Sequence, residues 1–264
     1  MGKIIGVLSL KGGVGKTSTV ISLGAAMSDF GKRVLLIDGN LSAPNLGLHL
    51  NVFEPEITLH NVLNRSANID EAIYGLGDFD IMPSSSNNKL NINPLILKDR
   101  IKNLKNRYDV IILDSSPALN DETLAVILAS DELIVVTTPD FPTLSTTLKA
   151  VKIAKERDTP VVGLVINKVY NKNFELSLRD IEKTAEVPVI AIIPHDVSFL
   201  KALSRFVPPV LYKPNSKGSE EYKKLAATLV GEKYNPFRLR NFFRLSPRRQ
   251  EVNRAIYYES IFGQ

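Results

Sequence analysis

The sequence contains no cysteine, only three histidines and no long apolar run. Without cysteine the chain cannot form disulfides, thiolate metal sites, iron–sulfur clusters or a cysteine nucleophile. His49, His60 and His195 are scattered, so no imidazole metal site is expected. No apolar stretch approaches the ~20 residues that a membrane-spanning helix needs. The apolar start leads directly into a glycine-rich loop without a cleavage pattern, which predicts a strand in a cytoplasmic protein and not a signal peptide.

The composition is that of a globular protein with a substantial core. Of the 264 residues, 44% are hydrophobic and 23% are charged. The net charge is +5, and residues 232–264 hold seven basic and only three acidic residues. The rest of the chain is therefore nearly neutral, which argues against a broad nucleic-acid-binding face. The basic tail predicts a localised attraction to an anionic surface or partner.

From residue 1 to about 231, short apolar runs alternate with longer segments of helical period. The runs are nearly continuous in Val, Ile and Leu, as is typical of strands covered by helices on both faces. We therefore predict a doubly wound α/β domain over residues 1–231, with a mostly parallel sheet and helices on both faces, followed by a tail over residues 232–264. The predicted strands are KIIGVLSL, RVLLID, FDIMPS, DVIILD, ELIVVTT, PVVGLVIN and PVIAIIP. The predicted helices are Lys16–Phe30, Asn93–Asn106, Asp121–Ser130, Ser145–Glu156, Glu175–Ala185, Ser198–Arg205 and Ser219–Leu229.

The stretch LSLKGGVGKTST lies between the first predicted strand and the first predicted helix. Its glycines allow backbone N–H groups to converge on phosphate oxygens at the helix N-terminus. We expect Lys16 to reach the β- and γ-phosphates and Thr17 to hold Mg²⁺ through its hydroxyl. The usual P-loop pattern fails at one place, because Leu10 stands where its first glycine is expected. The predicted nucleotide-binding residues of this loop are Lys11, Gly12, Gly13, Val14, Gly15, Lys16, Thr17 and Ser18.

Two aspartates end apolar strands in the same domain. Asp114 follows VIIL in the form of a Walker B strand, and we expect it to contact the Mg²⁺ shell through water. Asp38 ends RVLLID, where its carboxylate could hold a Mg²⁺-bound water or the attacking water. The predicted metal-site residues are therefore Thr17, Asp38 and Asp114.

The variant KGGVGKT resembles the deviant Walker A signature of the MinD/ParA family of ATPases, and the resemblance extends over about residues 1–231. It implies the SIMIBI-type P-loop NTPase fold, with ATP and Mg²⁺ as ligands. It also implies that the first lysine of the signature, Lys11, reaches across a nucleotide-sandwich homodimer to the phosphates of the partner. Iron–sulfur carriers and nitrogenase-type reductases share the loop, but they need cysteines that this chain lacks.

The resemblance also assigns a switch region and a base pocket. Switch I is usually D-x-D in the family, and its second acid is replaced here by Asn40. Because an amide cannot take a proton, Asn40 predicts slow hydrolysis with ATP binding intact. Alternatively, Asp38 alone suffices, since phosphoryl transfer depends chiefly on positioning and electrostatics. The implied catalytic set is Lys11, Lys16, Asp38 and Asn40. The implied base-pocket residues are Asn167, Pro194, His195 and Asp196.

MinD proteins carry a C-terminal amphipathic helix that attaches the ATP-bound dimer to membrane. The tail of this chain has a comparable apolar and basic pattern, although it is longer. The alternatives are a segment that docks on its own body or captures a partner protein, and a disordered segment. The residues expected to contact membrane or partner are Phe237, Leu239, Arg240, Phe242, Phe243 and Arg244.

Together these features predict a MinD-like switch ATPase that dimerises with ATP and controls the position of a cellular structure, peripherally on the inner face of the membrane. One alternative is a ParA-type partition ATPase whose ATP dimer binds DNA non-specifically. Another is an ATP-loaded adaptor that hydrolyses little and recruits a partner, which Asn40 would favour.

Overall fold

The computed structural model describes residues 2–85, 92–234, 236 and 246–263. Eight strands form a single sheet in the order β3-β4-β2-β5-β1-β6-β7-β8, and every pair is parallel except β3 with β4. The strands are β1 Lys3–Leu8, β2 Val34–Asp38, β3 Tyr74–Gly75, β4 Asp80–Met82, β5 Val110–Asp114, β6 Glu132–Thr137, β7 Val161–Val169 and β8 Val189–Pro194. The predicted mostly parallel sheet is confirmed, and all seven predicted runs contain a strand.

Helices cover both faces of this sheet. The α-helices of the described residues are α1 Lys16–Asp29, α2 Leu46–His49, α3 Leu59–Leu63, α4 Leu97–Ile101, α5 Asp121–Ala129, α6 Phe141–Glu156, α7 Leu178–Ala185, α8 Val197–Leu203, α9 Pro209–Tyr212, α10 Lys217–Leu229 and α11 Arg249–Phe262. Short 3₁₀ helices span Ile69–Ala72, Pro94–Ile96 and Lys102–Asn106. The doubly wound architecture is therefore confirmed.

Two hydrophobic cores lie on opposite faces of the sheet because successive strand residues point to opposite sides. Ile5 and Val7 of β1 pack with α1 and α10, where Tyr222 is fully buried. Ile4 and Leu8 of the same strand belong to the other core, together with residues of α4, α5, α6 and α7. Strands buried on both faces explain the continuous apolar runs of the sequence.

Three predicted helix boundaries are corrected by the structure. The predicted helix Asn93–Asn106 is broken into a 3₁₀ turn, α4 and a second 3₁₀ turn. Only α4 and its immediate flank are anchored by buried side chains, and weakly anchored ends tighten into 3₁₀ turns. Helix α6 begins before Ser145 because Asp140 caps it and Pro142 lies in its first turn. Helix α7 begins after Glu175 because Ser177 caps it.

Candidate functional site

A cavity of about 520 Å³ opens at the sheet edge where β1, β7 and β8 end. The carboxyl ends of parallel strands meet at one edge, which is where open α/β sheets bind ligands. The predicted residues that line this cavity are Lys11, Gly12, Gly13, Val14, Gly15, Lys16, Thr17, Ser18, Asn40, Asn167, Pro194, His195 and Asp196. Asp38 and Asp114 are buried behind the loop, at the ends of β2 and β5.

The loop between β1 and α1 needs glycine at its last turn. Gly15 precedes the first residue of α1 with a φ of 93°, in the left-handed region that favours glycine. A Cβ atom there would also lie 2.2 Å from the amide nitrogen of Asn167. Gly13 has a φ of 77°, and a Cβ atom at Gly12 or Gly13 would meet nothing within 4 Å. The loop therefore leaves its backbone open toward the cavity at the N-terminus of α1.

Asp114 holds the two functional side chains at the start of α1. Its Oδ1 forms an ion pair with Lys16 Nζ, and its Oδ2 accepts a hydrogen bond of 2.6 Å from Thr17 Oγ1. Lys16 and Asp114 are both buried. The structure thus brings together the predicted phosphate lysine, the predicted metal hydroxyl and the predicted Walker B carboxylate, which come from positions almost 100 residues apart.

Asp38 organises the loop that follows β2. Its Oδ1 accepts from Asn40 N at 3.1 Å, and its Oδ2 accepts from Asn45 N at 3.0 Å and Leu46 N at 2.9 Å. Burial, and then the charge of Asp114 opposite it in the β2–β5 register, raise the pKa of the Asp38 carboxyl to about 7. Two buried carboxylates share Lys16 as their nearby cation, so this site favours additional positive charge.

The residues present fit Mg²⁺. Thr17 Oγ1 and the carboxylates of Asp38 and Asp114 are oxygen donors, which Mg²⁺ prefers, and it is usually bound by one or two carboxylates together with substrate phosphates and water. Across the described part of the chain, no group of three or more His, Asp or Glu side chains forms a self-contained metal cage. This donor set suits a metal that arrives with a nucleotide.

Asn40 is buried between this carboxylate pair and the cavity. Its Nδ2 donates to the backbone oxygen of Ala43, whereas its Oδ1 is buried without a hydrogen-bond partner in the described structure. The side chain therefore has a buried acceptor without a partner and no group that can take up a proton at neutral pH.

Lys11 lies at the rim of the cavity and is held within its own chain. Its Nζ contacts Asp140 Oδ1 at 3.2 Å and donates to Thr143 Oγ1 at 2.6 Å. Burial opposes ionisation of Asp140, but hydrogen bonds from Thr138, Thr143 and Lys11 lower the pKa of its carboxyl to about 2. The side chain of Lys11 is 39% exposed, so this contact is accessible to solvent. The predicted role across a dimer interface stays a prediction.

Two neighbouring residues at the end of β7 support the loop from the side. Asn167 Nδ2 donates to Val14 O at 2.8 Å, and its Oδ1 accepts from Lys168 N at 2.9 Å. Lys168 Nζ donates to Gly13 O at 2.6 Å. Asn167 therefore positions the loop in this structure, and its contact with an adenine ring stays a prediction. The sequence reasoning missed Lys168, although an Asn-Lys pair at the end of a buried strand was the available signal.

The far end of the cavity is largely apolar. The rings of Tyr170 and His195 stack with centroids 4.5 Å apart, and Asp196 caps α8 by accepting from Ser198 N at 2.8 Å. The side chains of α8 that line this end are Phe199, Leu200 and Leu203. The sequence reasoning expected helix α8 but missed its contribution to the cavity, which became visible only once α8 was placed beside the loop.

Comparisons with known proteins agree with this geometry. A family described as an AAA domain matches residues 2–162. An uncharacterized ATP-binding protein of Methanocaldococcus jannaschii is 34% identical over 87% of this chain and 88% of its own length. The solved structure of the cell division ATPase MinD of Pyrococcus furiosus has 34% identity and a TM-score of 0.81, covering 86% of this chain and 97% of its own. The septum site-determining protein MinD of Pyrococcus horikoshii, complexed with Mg-ADP, has 32% identity and a TM-score of 0.82, covering 87% and 96%.

The chain belongs to the MinD/ParA family of ATPases. This confirms the family that the deviant Walker A signature resembles, as well as the fold. The similarity spans most of the chain, so it does not depend on the loop alone.

In this MinD/ParA-family chain the segment after Gly231 has two parts. The residues predicted to contact membrane or partner, Phe237, Leu239, Arg240, Phe242, Phe243 and Arg244, lie outside the described residues. The following helix, α11, packs on the preceding part of the chain. Arg254 forms a buried ion pair of 2.8 Å with Glu221 of α10 and donates to Ile190 O of β8. Tyr257 OH donates to Glu132 at the start of β6.

None of the described helices combines the length and apolar character needed to cross a membrane.

Proposed function

We propose that this protein is an ATP-dependent switch ATPase of the MinD type, which binds Mg-ATP in the cavity beside the glycine loop. The observation that carries the proposal is the joint engagement of Lys16 and Thr17 by Asp114, with Asp38 beside them. A lysine, a hydroxyl and a buried carboxylate at the N-terminus of a helix suit a nucleotide phosphate and its metal.

The chain's own residues act by positioning and electrostatics. The amides of the loop and the N-terminus of α1 bind the phosphates, and Lys16 places its charge on the transferring group. Thr17 and Asp114 would hold Mg²⁺, with Asp38 in the next layer. When bound, Mg²⁺ neutralises the charge that develops during phosphoryl transfer. The apolar end of the cavity, with Tyr170 and α8, accommodates the base.

Slow hydrolysis follows from Asn40 in this proposal. The carboxyl oxygens of Asp38 already accept three backbone N–H groups, so they are committed to shaping the loop. An amide can hydrogen-bond a water but cannot take its proton, so Asn40 cannot act as a general base. General-base assistance contributes ~10²–10⁴-fold in enzymes that have it. The long-lived ATP state would suit a switch, and in the limit an adaptor that hydrolyses little.

Dimerisation is the second part of the proposal. Lys11 exchanges Asp140 and Thr143 for the phosphates of the partner, so that assembly and ATP binding become one event. A cation supplied across an interface stabilises transition-state charge in other phosphoryl-transfer proteins. The MinD relatives are described as cell division and septum site-determining proteins, which favours a role in spatial positioning. A relative from Bacillus subtilis, 29% identical, is named sporulation initiation inhibitor protein Soj, so similar chains also carry names from outside septum placement. A ParA-type partition ATPase is the alternative.

The segment 237–245 would contact an anionic membrane surface, with a partner protein as the alternative. Both of its flanks are anchored: Phe30 and Tyr234 make a ring contact of 5.7 Å, and α11 packs on the body. A dimer would present two such segments, and two weak contacts bind by avidity.

Steady-state ADP formation by the purified chain with Mg-ATP tests the ATPase. We expect slow turnover in the wild type and none above background in Lys16→Ala. Lys152→Ala, on the exposed face of α6, is the matched control and should behave as wild type. The proposal is wrong if nucleotide binds no more tightly to the wild type than to Lys16→Ala.

A further inference from the structure

Glu122 lies in the first turn of α5 and is buried, yet it contacts an exposed loop. Its Oε1 accepts from Ser42 N at 2.9 Å and from the Ser42 hydroxyl. Its Oε2 is buried without a hydrogen-bond partner, and Glu122 forms no ion pair within the described ranges. Burying a carboxylate that has no ion-pair partner lowers the stability of the fold. The contact with Ser42 therefore calls for a functional explanation.

The neighbouring histidine does not neutralise this carboxylate. His60 lies close enough for Glu122 to raise the pKa of its imidazole, as does a hydrogen bond with the Leu41 backbone. Burial is the largest effect, however, and the pKa of His60 is lowered overall. Around neutral pH the imidazole is uncharged, and the donors on Glu122 are those of Ser42.

The next residue of α5 contacts the loop that follows Asp114, which is called switch II below. Thr123 Oγ1 donates to Ala118 O at 2.7 Å and to Ser116 O at 3.1 Å, both in the loop that follows Asp114. Consecutive residues of α5 therefore hold the two loops that flank the predicted phosphate site. Glu122 accepts hydrogen bonds from the loop after β2, and Thr123 donates to the loop after β5.

On the inner side, Asp38 holds the loop after β2 by the N–H groups of Asn40, Asn45 and Leu46. Ser42 lies between these contacts, at the outermost part of the loop. Without Glu122, the remaining side-chain contacts of that part would be those of Asn40 and Asn45 with Ala43 O, and none of them would hold Ser42. A small displacement there would move Asn40 relative to the cavity, and displacements of about 1 Å can cost ~10²-fold in rate.

We propose that Glu122 is a positioning residue for ATP hydrolysis, which ties switch I to the start of α5 and so to switch II. The inference rests on the proposed function, because it concerns the rate of that reaction. Glu122 acts through the two hydrogen bonds that its Oε1 accepts from Ser42. An amide in its place keeps an acceptor oxygen for Ser42, whereas a methyl group does not.

The test compares Glu122→Ala, Glu122→Gln and the exposed neighbour Asp121→Ala as the matched control. We expect Glu122→Ala to lower kcat about 10-fold or more, with KM for ATP within about twofold of the wild type. Glu122→Gln should recover most of the rate, and Asp121→Ala should match the wild type. A rate lost equally in the Ala and Gln variants would overturn the proposal, because the charge would then be the active feature.

Amide hydrogen exchange without nucleotide provides a readout that does not depend on turnover. We expect Glu122→Ala to speed exchange at Ser42 and at Asn40, Asn45 and Leu46, while the core strands stay protected. Unchanged exchange in the loop would overturn the inference. If the wild type hydrolyses no ATP, the proposed function fails, and exchange still decides whether Glu122 anchors the loop.

Ser42→Ala provides a variant on the exposed side of the same contact, should Glu122→Ala fold poorly. It removes the hydroxyl donor and keeps the backbone N–H, so we expect a smaller loss of rate. In a Glu122→Gln background, Ser42→Ala should lower kcat by a similar factor, because the backbone N–H of residue 42 still has an acceptor oxygen at position 122. A Ser42→Ala variant with unaltered kcat and exchange would contradict the proposed coupling.

Discussion

At the scale of single residues, Asn40 stands in the loop after β2 at the position where the switch I pattern D-x-D has its second acid. We expect Asn40→Asp to raise kcat by at least about 10-fold, because a carboxylate can assist proton removal from water. The new carboxylate has no N–H to donate to Ala43 O, so the free energy of unfolding of the metal-free protein should fall. Single-turnover ADP formation measures the gain, and Asn40→Ala is the control. If Asn40→Asp and Asn40→Ala hydrolyse ATP equally slowly, the explanation of slow turnover is wrong.

The raised pKa of Asp38 gives a pH dependence with a definite sign. Its folded-state pKa of about 7 exceeds the ordinary aspartate value. Without metal, the stability from this group is therefore present at low pH and is lost as the pH rises through about 7. Bound Mg²⁺ favours the ionised carboxylate, so the rise in Tm caused by Mg-ADP should grow from about pH 6 to about pH 8.

Thermal unfolding with Mg-ADP, and with ADP plus a chelator, measures this difference at each pH. The rise in Tm caused by ADP plus a chelator should depend less on pH than the rise caused by Mg-ADP. A Mg-ADP increment that is constant or declines over this range would contradict the assignment of Asp38 to the metal site.

Which of these residues the sequence could predict depends on how local their signals are. Lys16 and Thr17 belong to one short motif, and Asp114 ends an apolar strand. The residues adjacent to them in the sequence are therefore enough to predict their roles. Asp140 and Glu122 contact residues 129 and 80 positions away, respectively. Such contacts follow from the order of the strands, which periodicity alone does not provide.

At the scale of elements, all strands except β3 were predictable and the short helices were not. Continuous apolar runs identify buried parallel strands because both faces of the sheet are covered. The two-residue strand β3 and the four-residue helices α2 and α9 are too short to show a period. Helix α11 was assigned to a tail because its docking face is polar: its buried members are Gln250 and Arg254.

Helix α11 lies at the amino ends of the strands, across the sheet from the nucleotide cavity. It contacts Glu132 at the start of β6 and Ile190 near the start of β8. Arg254 and Glu221 are both about 95% buried, so the charge of each side chain is stabilised by the opposite charge of the other. The helix thereby fixes the second end of the segment 237–245.

We expect Arg254→Ala to lower the free energy of unfolding by about 3–5 kcal/mol, because it leaves Glu221 buried and unpaired. The double variant Arg254→Met with Glu221→Leu should recover most of that loss, since apolar residues of similar volume replace buried ion pairs well. Urea unfolding measures both. A double variant no more stable than Arg254→Ala would show that the ion pair is not what holds α11.

At the scale of the whole molecule, the edge that carries the cavity also carries the predicted dimer contact. Lys11 is tied to Asp140 and Thr143 at the N-terminus of α6, and its partly exposed side chain is within reach of a second copy. The switch loops reach the same edge through Asp38 and Asp114. One surface therefore combines the residues proposed to bind phosphate and metal with the lysine of the signature.

In the proposed switch, ATP binding and dimerisation are one event that depends on Lys11. Light scattering with simultaneous measurement of bound nucleotide tests it for the wild type, Lys11→Ala and the control Lys152→Ala. We predict that the wild type and the control double from 29.2 kDa with Mg-ATP and return to 29.2 kDa with Mg-ADP. Lys11→Ala should bind Mg-ATP and stay a monomer. A wild type that binds Mg-ATP as a monomer, or a Lys11→Ala variant that dimerises equally well, would contradict the claim.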